Sequence, residues 1–150
     1  MPGVIVSDTS CLILFYKIGE LDLLTKLFGK IFITNTVLKE FNQPVPDWIE
    51  VVQLKTDVHK VLTDSLDSGE ATSIALASEY VNSLLIIDEI KGRKAAKELG
   101  IQVTGSLGVL IAAKNKGHLK AIRPILNKIK KTNFRISKEL IDRVLEKVNE

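Results

Sequence analysis

Residues 84–89 read LLIIDE: four aliphatic side chains running straight into two carboxylates. The same punctuation occurs near the start, where residues 3–10, GVIVSDTS, carry an aliphatic run into Asp8. Neither run alternates apolar with polar residues. Consecutive apolar positions of this length are expected in strands covered on both faces, as in a parallel sheet with helices above and below. Shorter runs at 30–34 (KIFIT) and 101–104 (IQVT) make third and fourth strands, and 49–54 (IEVVQL) reads as an edge strand or an extended connection.

Helical patterns lie between these runs. TSCLILFYKIG should end at Gly19 and ELDLLTKLFG at Gly29, glycine being a common stop just past a helix. NTVLKEFN reads as a helix capped by Asn35 and broken by QPVPDW. SGEATSIALASEYV carries small residues suited to close approach to a sheet, and EIKGRKAAKELG is amphipathic and ends at Gly100. Three further helical stretches follow: GSLGVLIAAKNKG, LKAIRPILNKIKK and SKELIDRVLEKVNE. Strands alternating with helices predict a three-layer α/β/α fold around a parallel sheet of four to five strands. The expected organisation is one domain over residues 1–150, with a core over about 1–118 and a helical C-terminal extension over about 119–150.

At 150 residues and 45% hydrophobic composition, the chain can bury a core without a disulfide or zinc staple. Cys11 is the only cysteine, and within an apolar run it reads as a small core residue in a reducing compartment. His59 and His118 stand alone, with no spacing suited to zinc. No stretch approaches the ~20 apolar residues of a membrane span, and no leader is visible, so a cytoplasmic protein is expected. Net charge is +3, unevenly spread: from Leu99 to Lys138 there is no acid and nine Lys or Arg, which leaves about −6 for the remainder. A basic third beside an acidic body is either a solvated face or the footprint of a polyanion.

In open parallel sheets, ligands bind beyond the carboxyl ends of the strands. Asp8 and Asp88 are placed there. Singly, each is equally at home as a helix N-cap. Asp67 and Glu70 stand at capping-box spacing, Glu40 is a mid-helix acid, and Glu89 adds charge to a first helical turn. The functional reading rests on convergence of the set.

The motifs that carry these acids resemble those of PIN domains, the nuclease fold used by VapC-type toxins. VSDTSCLILF is similar to the family's opening strand and its Asp, FITNTVLKEF to its second motif with Glu40, and GEATSIALASEYVNSLLIIDE to its third and fourth with Glu70 and Asp88. The matches run in order from Val6 to about Gly100. The hydroxyl–Asn/Asp–aromatic pattern usual after the fourth motif is replaced here by IIDEIKGRKAA, so either Asp88 or Glu89 fills the fourth position. VTGSLGVLIAAKNKG also looks like a feature of PIN-like proteins of unassigned function.

The resemblance implies a metal-dependent ribonuclease with Asp8, Glu40, Glu70 and Asp88 as catalytic acids. Asp8, Glu70 and Asp88 would ligate one or two Mg²⁺ or Mn²⁺ ions, which prefer oxygen donors. Ser10, Thr104, Ser106 and Glu89 would orient those ligands from behind. The implied substrate is single-stranded RNA, cut to a 5′-phosphate and a 3′-hydroxyl. The implied partners are a small antitoxin protein and a second copy of the chain, with CLILFYKIGELDLLTKLF serving as core or as dimer face; no membrane is involved. The alternative is a catalytically inactive PIN-like module that binds RNA or protein, its acids serving only as caps.

Overall fold

The computed structural model describes residues 3–150. Five strands form one sheet: β1 (Val4–Ser7), β2 (Ile31–Ile33), β3 (Ile49–Val51), β4 (Ser83–Ile86) and β5 (Gln102–Thr104). All neighbours are parallel, in the order β3-β2-β1-β4-β5. The connection from β1 leaves to one side of the sheet and β4 starts the other side, so the topological switch point falls between β1 and β4. Ile49–Val51 is the edge strand at one end, and Gln102–Thr104 is the edge at the other.

The unbroken aliphatic runs are explained by two-sided burial. In β1, Ile5 enters one hydrophobic cluster and Val6 the other; in β4, Ile86 and Leu85 divide the same way. The first cluster takes in α1 (Thr9–Lys17), α2 (Asp22–Phe28), α3 (Asn35–Phe41) and α7 (Ser106–Asn115). The second takes in α5 (Ser68–Ser78) and α6 (Ile90–Glu98), with Leu62 of the short α4 (Val58–Leu62) at its margin. The result is a three-layer α/β/α sandwich. Helix α4 had no signal in the sequence pattern, since its five residues carry no buried side chain.

Leu14 and Leu23 are both 3% exposed and belong to the first cluster, so the aliphatic α1–α2 segment is core within this chain. The C-terminal helices α8 (Arg123–Lys130) and α9 (Lys138–Lys147) insert Ile125, Leu126, Ile129, Ile141, Val144 and Leu145 into that same cluster. Gly19, Gly29 and Gly100 all have positive φ just past their helices, as the stop signals predict. One cap is shifted: Thr34, not Asn35, precedes α3, its hydroxyl accepting the Val37 N–H at 3.1 Å. No helix among the described residues is long and apolar enough to cross a membrane.

The C-terminal helices are locked down by one carboxylate. Glu150 accepts the Ile122 N–H at 2.7 Å, the Arg123 N–H at 3.1 Å and the Lys114 ammonium at 2.8 Å. It thereby caps α8 from outside that helix. These donors hold its pKa down at about 2, against an ordinary 4.5. A depressed carboxylate stabilises the fold above its unfolded pKa, and that contribution is lost as pH falls through the folded value. Glu150→Ala should therefore cost about 1–2 kcal/mol at neutral pH, in the range of lost caps and charge-assisted hydrogen bonds. In urea titrations the gap from wild type should close between about pH 4.5 and 2; a constant gap would assign the loss to packing.

Candidate active site

The switch point fixes two of the acids. Ser7 pairs with Ile86 across β1 and β4, and the Asp8 N–H continues the ladder to the Ile86 carbonyl at 3.1 Å. Asp8 follows at once; Asp88 follows two residues past the end of β4. Asp8 is also the N-cap of α1, its Oδ1 accepting the Cys11 N–H at 3.1 Å. Cap and site are thus one residue, and the two readings of Asp8 coexist.

Asp88 is half-buried and tightly held. Its Oδ1 accepts the Ser106 N–H at 2.8 Å, and its Oδ2 accepts the Ser106 hydroxyl at 2.6 Å and the Cys11 thiol at 3.1 Å. Ser106, at the start of α7, therefore orients Asp88 through both backbone and side chain. Cys11 sits between the two aspartates, and burial together with the nearby Asp8 and Asp88 pushes its thiol well above the usual range. It is a neutral S–H donor inside the site.

Glu70 lies in the first turn of α5 and is 8% exposed. Asp67 caps that helix, accepting the Glu70 N–H at 2.9 Å. The Glu70 Oε2 is buried and meets no fixed donor among the described residues; the hydrogen bond of the Glu70 carboxyl to the Asp67 carboxyl requires a shared proton. Glu40, exposed on α3, accepts a hydrogen bond from the Thr9 hydroxyl at 2.5 Å. Gly69 lies against that pair: a Cβ there would collide with the Glu40 carboxylate and stand 2.7 Å from Thr9 Oγ1. At Gly92 of α6 a Cβ would come within 3.2 Å of Glu70 Oε2. Glycines thus let α5 and α6 approach the acid rim.

The electrostatics follow from crowding and burial. Asp8 is pushed up to about 7, chiefly by burial, with Asp88 and Asp67 adding repulsion against the lowering effect of the Cys11 hydrogen bonds. Glu70 is pushed up to about 7 as well, by burial first and then by Asp67, with Asp8 contributing. Asp8, Asp67, Glu70 and Asp88 therefore share one field, and Glu40 adjoins it through Thr9 and Gly69. As the side chains stand, no three His, Cys, Asp or Glu among the described residues converge closely enough to hold an ion. The donor chemistry nevertheless fits a hard divalent cation: all-oxygen ligands, a buried oxygen without a donor, and two carboxyls that hold protons where a cation would otherwise neutralise them.

The expected orienting residues divide. Ser106 contacts Asp88. Ser10 is exposed on α1 and its hydroxyl has no hydrogen-bond partner among the described residues; the neighbouring Thr9 is the hydroxyl that reaches an acid. Thr104 packs under Gly108 of α7, contacts the Gly105 carbonyl at 3.5 Å and lines the cavity that begins at Asp88, with no hydrogen bond to a carboxylate among the described residues. Glu89 is exposed at the N-cap position of α6, makes no capping hydrogen bond, and faces a cavity that begins at Asp88. Sequence reasoning gave no site role to Cys11, Thr9, Asp67 or Arg93. Cys11 and Thr9 carried a signal by lying within three residues of Asp8, and Asp67 by standing three before Glu70; Arg93 carried none.

An open parallel sheet with an acidic rim at its switch point defines the class: a Rossmann-like α/β protein with an oxygen-rich site. A family model described as a PIN domain matches residues 4–150, and the chain belongs to the PIN-domain family, whose members are commonly metal-dependent nucleases. No curated protein and no solved structure matches it.

The raised carboxyls give a pH signature. Between an unfolded value near 4 and a folded value of about 7, the folded chain binds more protons than the unfolded one, so its stability falls as pH rises. In EDTA, the melting temperature should drop from pH 5 to pH 8, with Asp8 alone contributing on the order of 3 kcal/mol. Mn²⁺ should raise the melting temperature at pH 8 and have little effect at pH 5, where protons occupy the same oxygens. Asp8→Asn should flatten the slope; a wild type whose stability is flat from pH 5 to 8 would refute a buried, strained carboxyl.

Proposed function

We propose that this chain is a Mg²⁺- or Mn²⁺-dependent ribonuclease that hydrolyses phosphodiester bonds, with Asp8, Glu70 and Asp88 as metal ligands and Glu40 as the fourth catalytic acid. The observation that carries the reading is the buried Glu70 Oε2 without a hydrogen-bond donor, beside an Asp8 that burial keeps protonated to about 7. A carboxyl oxygen shut away from water and left without a donor is costly unless something positive meets it. A cap needs no such arrangement.

The residues divide the work. Asp8 is fixed by the end of β1 and by the Cys11 N–H, so it offers one oxygen to the rim in a set direction. Asp88 is pinned by Ser106, and the Cys11 thiol supplies a donor that needs no charge. Glu70 and Asp67 stand close enough to raise the Glu70 pKa, and loss of that proton readies Glu70 to bind a cation. Glu40, exposed and bonded by the Thr9 hydroxyl, would accept a proton from an attacking water. A bound divalent ion would supply charge neutralisation at the phosphate and lower the pKa of a water for in-line attack.

A second reading is favoured by one observation. Asp88 has both oxygens occupied by Ser106 and Cys11, and no ready-made ion cage exists among the described residues. On that reading the chain is a non-catalytic PIN-like module that binds RNA or protein through the same surface. The expected toxin role, small antitoxin partner and homodimer belong to the ribonuclease reading and rest on the family.

End-labelled mixed-sequence RNA and single-stranded DNA, incubated with Mn²⁺, Mg²⁺ or EDTA, decide between the two. Wild type should cut RNA only with metal. Asp8→Asn and Glu70→Gln, purified identically, should lose at least about a hundredfold of that rate, as expected when a positioned metal or general base is disabled. Absence of cutting together with absence of Mn²⁺ binding in calorimetry would leave the binding module.

A further inference from the structure

A cavity of about 660 Å³ opens at Asp88 and runs past Arg93 and Gly105 to Phe134, Arg135 and Leu140. That size lies within the range of about 300–1,000 Å³ that takes a small ligand, or here a nucleotide unit. A second depression of about 500 Å³ adjoins it at Ile90 and Arg93, and is lined further out by Lys94 and Lys97 on the next turn of α6. A third, of about 320 Å³, adjoins it at Phe134 and Arg135 and reaches Lys130. Through these shared residues the three line up as a candidate track beside the acid rim. Asp88 and Glu89 are its acids at the rim and Glu98 the one at its far end; elsewhere its charges are Lys or Arg.

Arg93 is a cation beside the rim. It is half-buried, and its Nη1 donates to the Ile87 carbonyl at 3.1 Å. Gly105 lies between it and Asp88: a Cβ at Gly105 would stand 2.6 Å from Asp88 Oδ1 and 2.9 Å from Arg93 Nη1. The guanidinium therefore shares a wall with the site, yet it has no ion-pair partner among the described residues. One anchored N–H leaves the rest of a planar fork facing the cavity, which suits a phosphate. Phe134, packed against the core behind it, presents a half-buried ring further along. Alternating cations and an aromatic ring match the backbone charges and base faces of a single strand.

Resting on the ribonuclease reading, we propose that single-stranded RNA lies along this track, with Arg93 binding the phosphate beside the acid rim, Phe134 stacking one base, and Lys94, Lys97 and Arg135 following the backbone to either side. Arg93 is a positioning residue: it sets the register of the strand against Asp88.

The test uses the full chain and a fluorescein-labelled RNA of about a dozen nucleotides. Binding is read by anisotropy in EDTA across a salt series, and cleavage with Mn²⁺ is read separately. Arg93→Gln, Arg135→Gln and the Lys94→Gln/Lys97→Gln pair should each weaken binding and reduce the salt slope by about 0.7 per contact removed. Arg93→Lys should recover the slope but not the cleavage rate, because an ammonium cannot hold both the Ile87 carbonyl and a bidentate phosphate. Phe134→Leu should weaken binding about fivefold or more with an unchanged slope. Lys26→Gln, exposed on α2, controls for general charge, and melting temperatures equal to wild type confirm folding. A wild type that cuts RNA while all the track variants bind and cut like it overturns the track, leaves the nuclease standing and frees the groove for a protein segment. A wild type that neither binds nor cuts RNA overturns both.

Discussion

Everything at the rim depends on one constraint: parallel strands buried on both faces must end somewhere, and β1 and β4 end side by side at the switch point. The backbone there turns from ladder to helix, and its first polar side chains are delivered into a space that the sheet and helices keep partly dry. Asp8 is 2% exposed, directly after a strand whose last three residues are buried. A carboxylate in such a place loses most of its hydration, and the fold compensates with two backbone N–H groups, a thiol and a serine hydroxyl spread over Asp8 and Asp88. For the buried Glu70 Oε2 it supplies no fixed donor among the described residues, and the neighbouring Asp67 carboxyl can bond to Glu70 only by sharing a proton.

Small residues make the crowding possible. Helix α5 is buried from Gly69 to Ala77, and its Ser73 hydroxyl returns to the Gly69 carbonyl at 2.7 Å, so the helix meets the sheet with little side chain between. Gly69, Gly92 and Gly105 each lie against an acid, at Glu40, Glu70 and Asp88 in turn. A methyl group at Gly69 or Gly105 would push the carboxylate it touches, and at Gly92 it would collide with Ile87 Cδ1 and crowd Glu70 Oε2. The glycines thus act as spacers, holding acids from three different segments at one rim.

The charge distribution has a matching spatial logic. Acids gather at the strand ends, whereas the cavities leading away from them are bordered by Arg93, Lys94, Lys97, Arg135 and Lys130. Only two of those five belong to the acid-free stretch seen in the sequence; the other three come from α6, whose composition is mixed. Local fields of opposite sign, side by side, are what a protein needs to hold cations at one point and a polyanion around it.

Much of the fold was legible because its signals are local. Consecutive aliphatic residues, 3.6-residue periodicity and glycine stops each depend only on neighbours in the chain, and they placed four strands and most helices; of the two readings left open for 49–54, the edge strand is the one found. Asp8 and Asp88 were legible for the same reason, since the end of a buried strand is written in LLIIDE and in GVIVSD. Helix α4 was not, having no buried face to leave a pattern. Only the tertiary structure decided which hydroxyl serves which acid. Ser10 and Thr9 differ by one position, but a helical step of about 100° turns one to solvent and the other to Glu40. It likewise decided that Cys11 stands between two aspartates far apart in the chain, and that Arg93 faces Asp88 across Gly105. Those relations depend on how layers stack and how close backbones come, which no single stretch of sequence encodes.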